Sequence, residues 1–242
     1  MNVLSKIIHC KQQQLPLLAV LVDPDKEDLY PSVLPNLKHA DLVFVGGSTG
    51  NNVDTCIQQI RMHTTVPVVL FPGNIRQFSP AADALLFLTL LNAQTANILI
   101  QPHIQIAQQV IQSGIESIPM GYILIDGGRK TSVEIATKCE PIPQSDIQRI
   151  FSTALAGQLL GKRLIYIEAG SGAKTPVAEQ IIRAVRQHLQ IPLIVGGGIT
   201  TPQAMLQAFQ AGADIVVIGN YFENHPDEIE NFVRVKQEFY GK

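Results

Sequence analysis

Charge is scarce in this chain. Of 242 residues only 16 % are Asp, Glu, Lys or Arg, and 18 basic residues against 20 acidic ones leave a net charge of −2. Such a balance carries no basic footprint for a nucleic acid. Cysteine is scarce too. Cys10, Cys56 and Cys139 are scattered and odd in number, without a Cys-x-x-Cys pair or a Cys/His ligand spacing. That excludes a disulfide framework and a zinc site of recognisable spacing. Tryptophan is absent. No apolar run reaches the length of a membrane span; residues 81–91 come nearest and fall short. Met1 to Leu15 is polar and has no apolar signal-peptide core. His9, His39, His63, His103, His188 and His225 show no paired spacing, so neither a Ser/His/Asp nor a Cys/His arrangement is supported. A soluble, cytoplasmic protein is expected.

What the chain does have is apolar residue, 46 % of the total. Eight short runs stand out: Leu17–Val22, Leu42–Val45, Pro67–Phe71, Ala84–Thr89, Gly121–Ile125, Leu164–Ile167, Leu193–Val195 and Ile215–Ile218. Most are continuous rather than alternating, as strands buried on both faces are. Helical patterns lie between most of them, at Tyr30–Lys38, Val53–His63, His103–Ser113, Gln144–Leu160, Pro176–Leu189 and Pro202–Ala211, with a last one at Pro226–Tyr240. Thr175-Pro176 and Thr201-Pro202 read as N-caps followed by proline in the first turn. Gly114 and Gly212 read as helix stops. Strand and helix in alternation imply a parallel sheet, and eight strands in this length match a single closed (β/α)8 TIM barrel over residues 1–242. An open doubly wound sheet is the rival. Val3–Gln14 reads as a helix closing the barrel bottom.

One crossover is irregular. Between the third and fourth runs lie only Pro72 to Asp83, with two prolines and a glycine. One helix of the outer ring is therefore expected to be replaced by a loop. The gap either holds a long hydrocarbon tail or is simply a short connection.

In a barrel the residues after each strand build the site. Three successive ends are glycine-rich: Tyr166-Ile167-Glu168-Ala169-Gly170-Ser171-Gly172, Gly196-Gly197-Gly198-Ile199 and Gly219-Asn220. Glycine lets backbone N–H groups approach and face a phosphate, although each glycine alone also suits a tight turn. Gly170 to Thr175 lacks the Gly-Lys pair of a P-loop and the third glycine of a dinucleotide fingerprint. Glu168, beside the anion site, is placed to orient or deprotonate a substrate hydroxyl, or else to form a structural ion pair. Asp23-Pro24-Asp25-Lys26 ends the first strand and Gly46-Gly47-Ser48 the second. Asp23 with Ser48 suits a Mg²⁺–diphosphate complex, and helix capping is the competing role for Asp23 and Asp25. Arg129 and Lys130, after the fifth strand, either meet a second phosphate or are solvated. A sugar-phosphate isomerase or epimerase, with Asp23 facing Glu168, and a non-catalytic phosphate or lipid carrier are compatible with the same loops.

These segments, in this order and spanning nearly the whole chain, resemble geranylgeranylglyceryl phosphate synthase. Tyr166 to Gly172 is the most specific of them. The resemblance implies transfer of a prenyl group from a polyprenyl diphosphate to the 3-hydroxyl of sn-glycerol 1-phosphate, with release of diphosphate, in ether phospholipid synthesis. It implies that Asp23 and Ser48 hold Mg²⁺. Tyr166, Glu168, Ala169, Gly170, Ser171, Gly172, Gly197, Gly198, Gly219 and Asn220 would hold glycerol phosphate, with Glu168 and Asp23 as the catalytic pair. The short third crossover matches the family's missing helix, where the prenyl chain lies. There is no Asp-rich DDxxD motif of the all-helical prenyltransferases. Family members often carry an aromatic residue five positions before the histidine matching His103, as a floor to the prenyl groove; here that position is Ile98. A longer donor, as in heptaprenylglyceryl phosphate synthase, therefore stays open. Assembly into a dimer or hexamer and peripheral contact with a membrane at product release complete the expectation.

Overall fold

Eight parallel strands close on themselves in chain order. They are β1 (Leu17–Val22), β2 (Leu42–Val45), β3 (Val68–Leu70), β4 (Ala84–Leu90), β5 (Glu116–Leu124), β6 (Leu164–Glu168), β7 (Leu193–Gly196) and β8 (Ile215–Ile218). The helices are α1 (Val3–Gln12), α2 (Tyr30–Val33), α3 (Val53–His63), α4 (Ala96–Leu99), α5 (Gln101–Ser113), α6 (Ser132–Thr137), α7 (Ile147–Leu159), α8 (Glu179–Arg186), α9 (Pro202–Ala211), α10 (Asn220–Asn224) and α11 (Glu228–Tyr240). The structure is a computed structural model that describes residues 2–47 and 52–241.

The continuous apolar runs follow from a strand with two buried faces. Leu18, Val20 and Val22 of β1 pack outward under the helices, while Leu17 and Ala19 point inward. The inner cluster includes Phe44, Met120, Tyr122 and Tyr166, and is closed below by Val3 and Ile7 of α1. Amides of Val3 and Leu4 donate to the Glu116 carboxylate at the foot of β5, at 2.7 and 3.0 Å. The helix seen in Val3–Gln14 thus plugs the barrel bottom, ending at Gln12.

At the same end an Ala-Asp pair precedes three strands. Asp41, Asp83 and Asp214 each accept the first free amide of the preceding strand, from Leu18, Val68 and Leu193, all at 2.7 Å. Each also meets a cation from the outer ring: Lys236, Arg61 and Arg186 respectively. The parallel ladder leaves these amides without a strand partner, and an unmatched buried N–H costs free energy.

Several boundaries differ from expectation for local reasons. Tyr30–Lys38 is not one helix. Pro31 and Pro35 divide it into short 3-10 and α segments. Pro176 does not open α8, because residues 174–178 are tied elsewhere. Lys174 and Thr175 donate to Gly127 O, and Gln144 bridges Pro176 O and Ala178 N. Thr201 does cap α9, accepting from Ala204 N at 3.2 Å. Gly114 and Gly212 end their helices in the left-handed region, at φ 69° and 115°. Strand β5 begins five residues earlier than the apolar run, paired with β4 from Glu116.

Between β3 and β4 the described residues 71–83 form no helix. The loop is built rather than slack. Buried Gln77 accepts from Gly73 N at 2.7 Å and donates to Gly47 O at 2.8 Å. Buried Ser79 hydrogen-bonds Asp54 of α3. The outer ring therefore has the expected gap. Among the described residues no helix is long and apolar enough to cross a membrane.

Candidate active site

The C-terminal ends of the strands surround a cavity of about 610 Å³. Asp23, Gly47, Tyr166, Glu168, Gly170, Ser171, Gly172, Gly197, Gly198, Gly219 and Asn220 all line it. Ala169 does not. It is fully buried, and its amide donates to Gly196 O at 3.1 Å. Its part is to join β6 to β7 beneath the loop. Ser48 lies outside the described residues.

The glycines are needed where they stand. Gly170, Gly172, Gly197 and Gly198 all have positive φ, between 66° and 96°. A Cβ on Gly197 would sit 2.6 Å from Glu168 Oε1 and 2.7 Å from Gly170 N. The turns after β6 and β7 are thus pressed together. A Cβ on Gly172 would lie 3.0 Å from an Arg129 terminal nitrogen and 3.6 Å from Asn220 Nδ2. Three neighbouring turns converge, as an anion cradle requires.

Glu168 stands at the floor of this cradle. It is level with Leu124 on β5 and Gly196 on β7. Oε1 accepts from Gly170 N at 2.9 Å, and Tyr166, two residues earlier on the same inward face, hydrogen-bonds the carboxylate. Burial pushes its pKa up to about 7, partly opposed by the bonds from Tyr166 and Gly170. A carboxylate that gains a proton near neutrality suits general-base work. Gly196 leaves room for the pair, since a Cβ there would fall 2.3 Å from the Tyr166 hydroxyl oxygen. Tyr122 and Phe71 pack ring to ring with Tyr166 and with each other at 5.4–6.0 Å.

Asp23 opens a turn in which Lys26 N donates back to Asp23 O and Asp25 N to Asp23 Oδ1, both at 3.1 Å. Its carboxylate is half-buried against Gly47, whose Cβ would sit 2.2 Å away. The capping role for Asp23 is thus a turn bond, which leaves the carboxylate on the cavity wall. Among the described residues no three His, Cys, Asp or Glu side chains gather as a metal cage. Mg²⁺ needs few protein ligands when phosphate oxygens and water complete its shell. Asp23 fits that requirement.

Away from the cradle the cavity turns apolar. It continues through the ring gap over Phe78, Leu85, Phe87, Ile98, Pro102 and Ile106. His103 of α5 stacks edge-on to Phe87 at 4.6 Å, with Nε2 2.7 Å from Leu88 O. Burial and then nearby Lys162 lower its pKa, although its contacts with the Leu88 and Leu99 carbonyls oppose this. A neutral ring keeps this wall compatible with hydrocarbon. The gap is a groove continuous with the anion site, which a merely short crossover does not require.

Arg129, expected either to meet a second phosphate or to be solvated, donates from Nη1 to Gly172 O at 3.2 Å, beside the cradle. Sequence reasoning missed other contributors. Thr131 packs its methyl under Gly170 and caps α6, which lines the cavity through Val133 and Ala136. The Thr131-Ser-Val-Glu134 capping box was a readable signal. Lys26 reaches Glu223 and Asn220 in the neighbouring turn after β8. Nothing in the local sequence points to that pairing.

Known proteins match this arrangement. The geranylgeranylglyceryl phosphate synthase of Zunongwangia profunda is 44 % identical, over 92 % of this chain and 97 % of its own. The Pyrococcus horikoshii protein of that name is 39 % identical, over 90 % and 88 %. The crystal structure of the Thermoplasma acidophilum (S)-3-O-geranylgeranylglyceryl phosphate synthase with sn-glycerol-1-phosphate superposes with a TM-score of 0.90. It is 34 % identical and covers 98 % of this chain and 99 % of that one. The PcrB family profile matches residues 10–236, nearly the full barrel. The chain belongs to the PcrB family.

Proposed function

We propose that this protein is a prenyltransferase that joins the 3-hydroxyl of sn-glycerol 1-phosphate to C1 of a polyprenyl diphosphate, geranylgeranyl diphosphate first among them, and releases diphosphate. The observation that carries the reading is the continuity of an anion cradle, a buried carboxyl of raised pKa and an apolar groove in one cavity. Relatives named for this reaction support it. An isomerase or epimerase would use the cradle and the carboxyl but has no need of the groove.

The glycine turns after β6, β7 and β8 hold the phosphate of the acceptor. Its 3-hydroxyl then points toward Glu168, with Tyr166 fixing the carboxylate. Glu168 takes the hydroxyl proton as the oxygen attacks the allylic carbon, whose bond to the diphosphate oxygen breaks. Asp23, after β1, and Ser48, which follows β2 in sequence, would hold Mg²⁺. When bound, the ion would supply neutralising charge to the leaving diphosphate. The apolar groove takes the prenyl chain and keeps water from the carbocation-like centre. Ile98, smaller than an aromatic residue, favours a roomier floor, so a heptaprenyl donor is the second reading.

Assembly as a homo-oligomer, dimer or hexamer, with peripheral membrane contact and a cytoplasmic setting, belongs to the same proposal. Exposed Ile104 and Ile111 on α5, with Leu159 and Leu160 by α7, support a covered or lipid-facing surface. The deciding assay mixes sn-glycerol 1-phosphate with a ladder of prenyl diphosphates, with and without EDTA. EDTA-sensitive release of diphosphate is expected. Folded protein that yields no ether product with any donor defeats the proposal.

A further inference from the structure

The Asp23–Lys26 turn straddles the site. Strand β1 lies between β2 and β8. Asp23, at the start of the turn, leans on Gly47 after β2. Lys26, at its end, leans the other way, onto the turn after β8. Its Nζ meets the carboxylate of Glu223, a residue only 7 % exposed, and lies 3.4 Å from Asn220 Oδ1. Both residues line the cavity. An ammonium group only donates, so it fixes which end of the Asn220 amide faces it. The other end, Nδ2, is left toward Gly172, where a Cβ would come within 3.6 Å of it.

Resting on the proposed glycerol-phosphate reading, we infer that Lys26 is a positioning residue of the phosphate subsite: it turns the Asn220 amide so that its N–H donors face the anion, and it neutralises the buried Glu223 carboxylate that would otherwise repel a phosphate. Two features make the second task necessary. Glu223 is held inside the cavity wall by the one-turn helix α10, and its charge is of the same sign as the ligand's. Arg129, a cation beside Gly172, is engaged with Gly172 O rather than with Glu223. Lys26 therefore acts through Asn220 and Glu223, which sit nearly 200 residues away in sequence.

The test is calorimetric titration of the intact protein with sn-glycerol 1-phosphate, and separately with inorganic phosphate. Lys26→Met is expected to weaken glycerol-phosphate binding on the order of 10-fold, because it leaves the buried Glu223 carboxylate without its half-exposed partner. Lys26→Arg should stay within several-fold of the wild type. Asn220→Ala should cost less in the Lys26→Met background than in the wild type, because the amide is already misdirected there. Adding Glu223→Gln to Lys26→Met should recover part of the loss. Glu223→Gln alone, which keeps the protein measurable even if Lys26→Met does not fold, should hold or tighten binding. Unchanged affinity in Lys26→Met, strict additivity with Asn220→Ala, or a tenfold loss in Glu223→Gln overturns the inference. Wild-type protein that takes up no glycerol phosphate defeats the functional reading instead, and inorganic phosphate then still measures the coupling of Lys26 to Asn220.

Discussion

Replacing Glu168 by Gln separates two properties of one buried carboxyl. The folded protein raises its pKa from 4.5 to about 7 by burial. The folded state therefore keeps a proton that the unfolded chain gives up. The contribution of Glu168 to stability is greatest below pH 4.5, falls as pH rises toward 7, and is flat above that. At about 1.4 kcal/mol per pH unit, the penalty in the ionised range is on the order of 3 kcal/mol. Glutamine has the shape of the protonated acid and does not titrate. Urea unfolding at pH 4.5, 6 and 8 should thus show the two proteins close together in acid. The Gln variant should become more stable than the wild type by up to about 3 kcal/mol at pH 8. Turnover should fall on the order of 10²–10⁴-fold, the typical share of a positioned base. Wild-type kcat/KM should rise with pH to a plateau just above 7, and the variant should lack that limb. A stability difference that does not change with pH refutes the burial argument. Retained turnover in a folded variant refutes the role as base.

Three further perturbations address other parts of the molecule. Gly197→Ala places a methyl 2.6 Å from Glu168 Oε1 at φ 84°. It should cost about 1–3 kcal/mol by thermal unfolding and most of the activity, whereas Gly114→Ala at φ 69°, with nothing within 4 Å, should cost about 1 kcal/mol and leave kinetics alone. Asp214→Ala strips Leu193 N of its acceptor and Arg186 of its partner. A loss of about 2–4 kcal/mol in denaturant unfolding with unchanged KM is expected, and a KM shift would contradict its structural assignment. Ile98→Trp fills the groove wall, so product analysis with the donor ladder should show roughly tenfold lower kcat/KM for the longest chains and little change for short ones.

The fold was legible because eight parallel strands, buried on both faces, cannot avoid continuous apolar runs. The glycine-rich strand ends were legible because the converging backbones leave no room for Cβ atoms. Features that depend on register were not. The Ala-Asp pairs at 40–41, 82–83 and 213–214 are identical dipeptides, yet their purpose appears only when each lies beside an early amide of the previous strand. The first half of β5 was hidden by Glu116, Ser117 and Pro119. Proline there loses no bond the barrel needs: its carbonyl still accepts from Arg163 N at 2.7 Å. Tyr122 was readable as core but not as part of the site, because its place beside Tyr166 is set by pairing of β5 with β6.

The two ends of the barrel carry opposite energetic signs. At the foot, three aspartates match strand amides with cations from α3, α8 and α11, and the amides satisfied there favour the folded state. At the mouth, positive-φ glycines and a carboxyl that resists ionisation raise it. A closed barrel makes this separation workable. Its ladder is continuous from one end to the other, so strand positions fixed at the foot also hold the mouth in a geometry that its own turns would not choose. The gap between β3 and β4 is tolerable for the same reason. With the ring of hydrogen bonds unbroken, Gln77 and Ser79 suffice to anchor a loop in place of a helix, and the uncovered wall of β4 becomes available to a hydrocarbon chain.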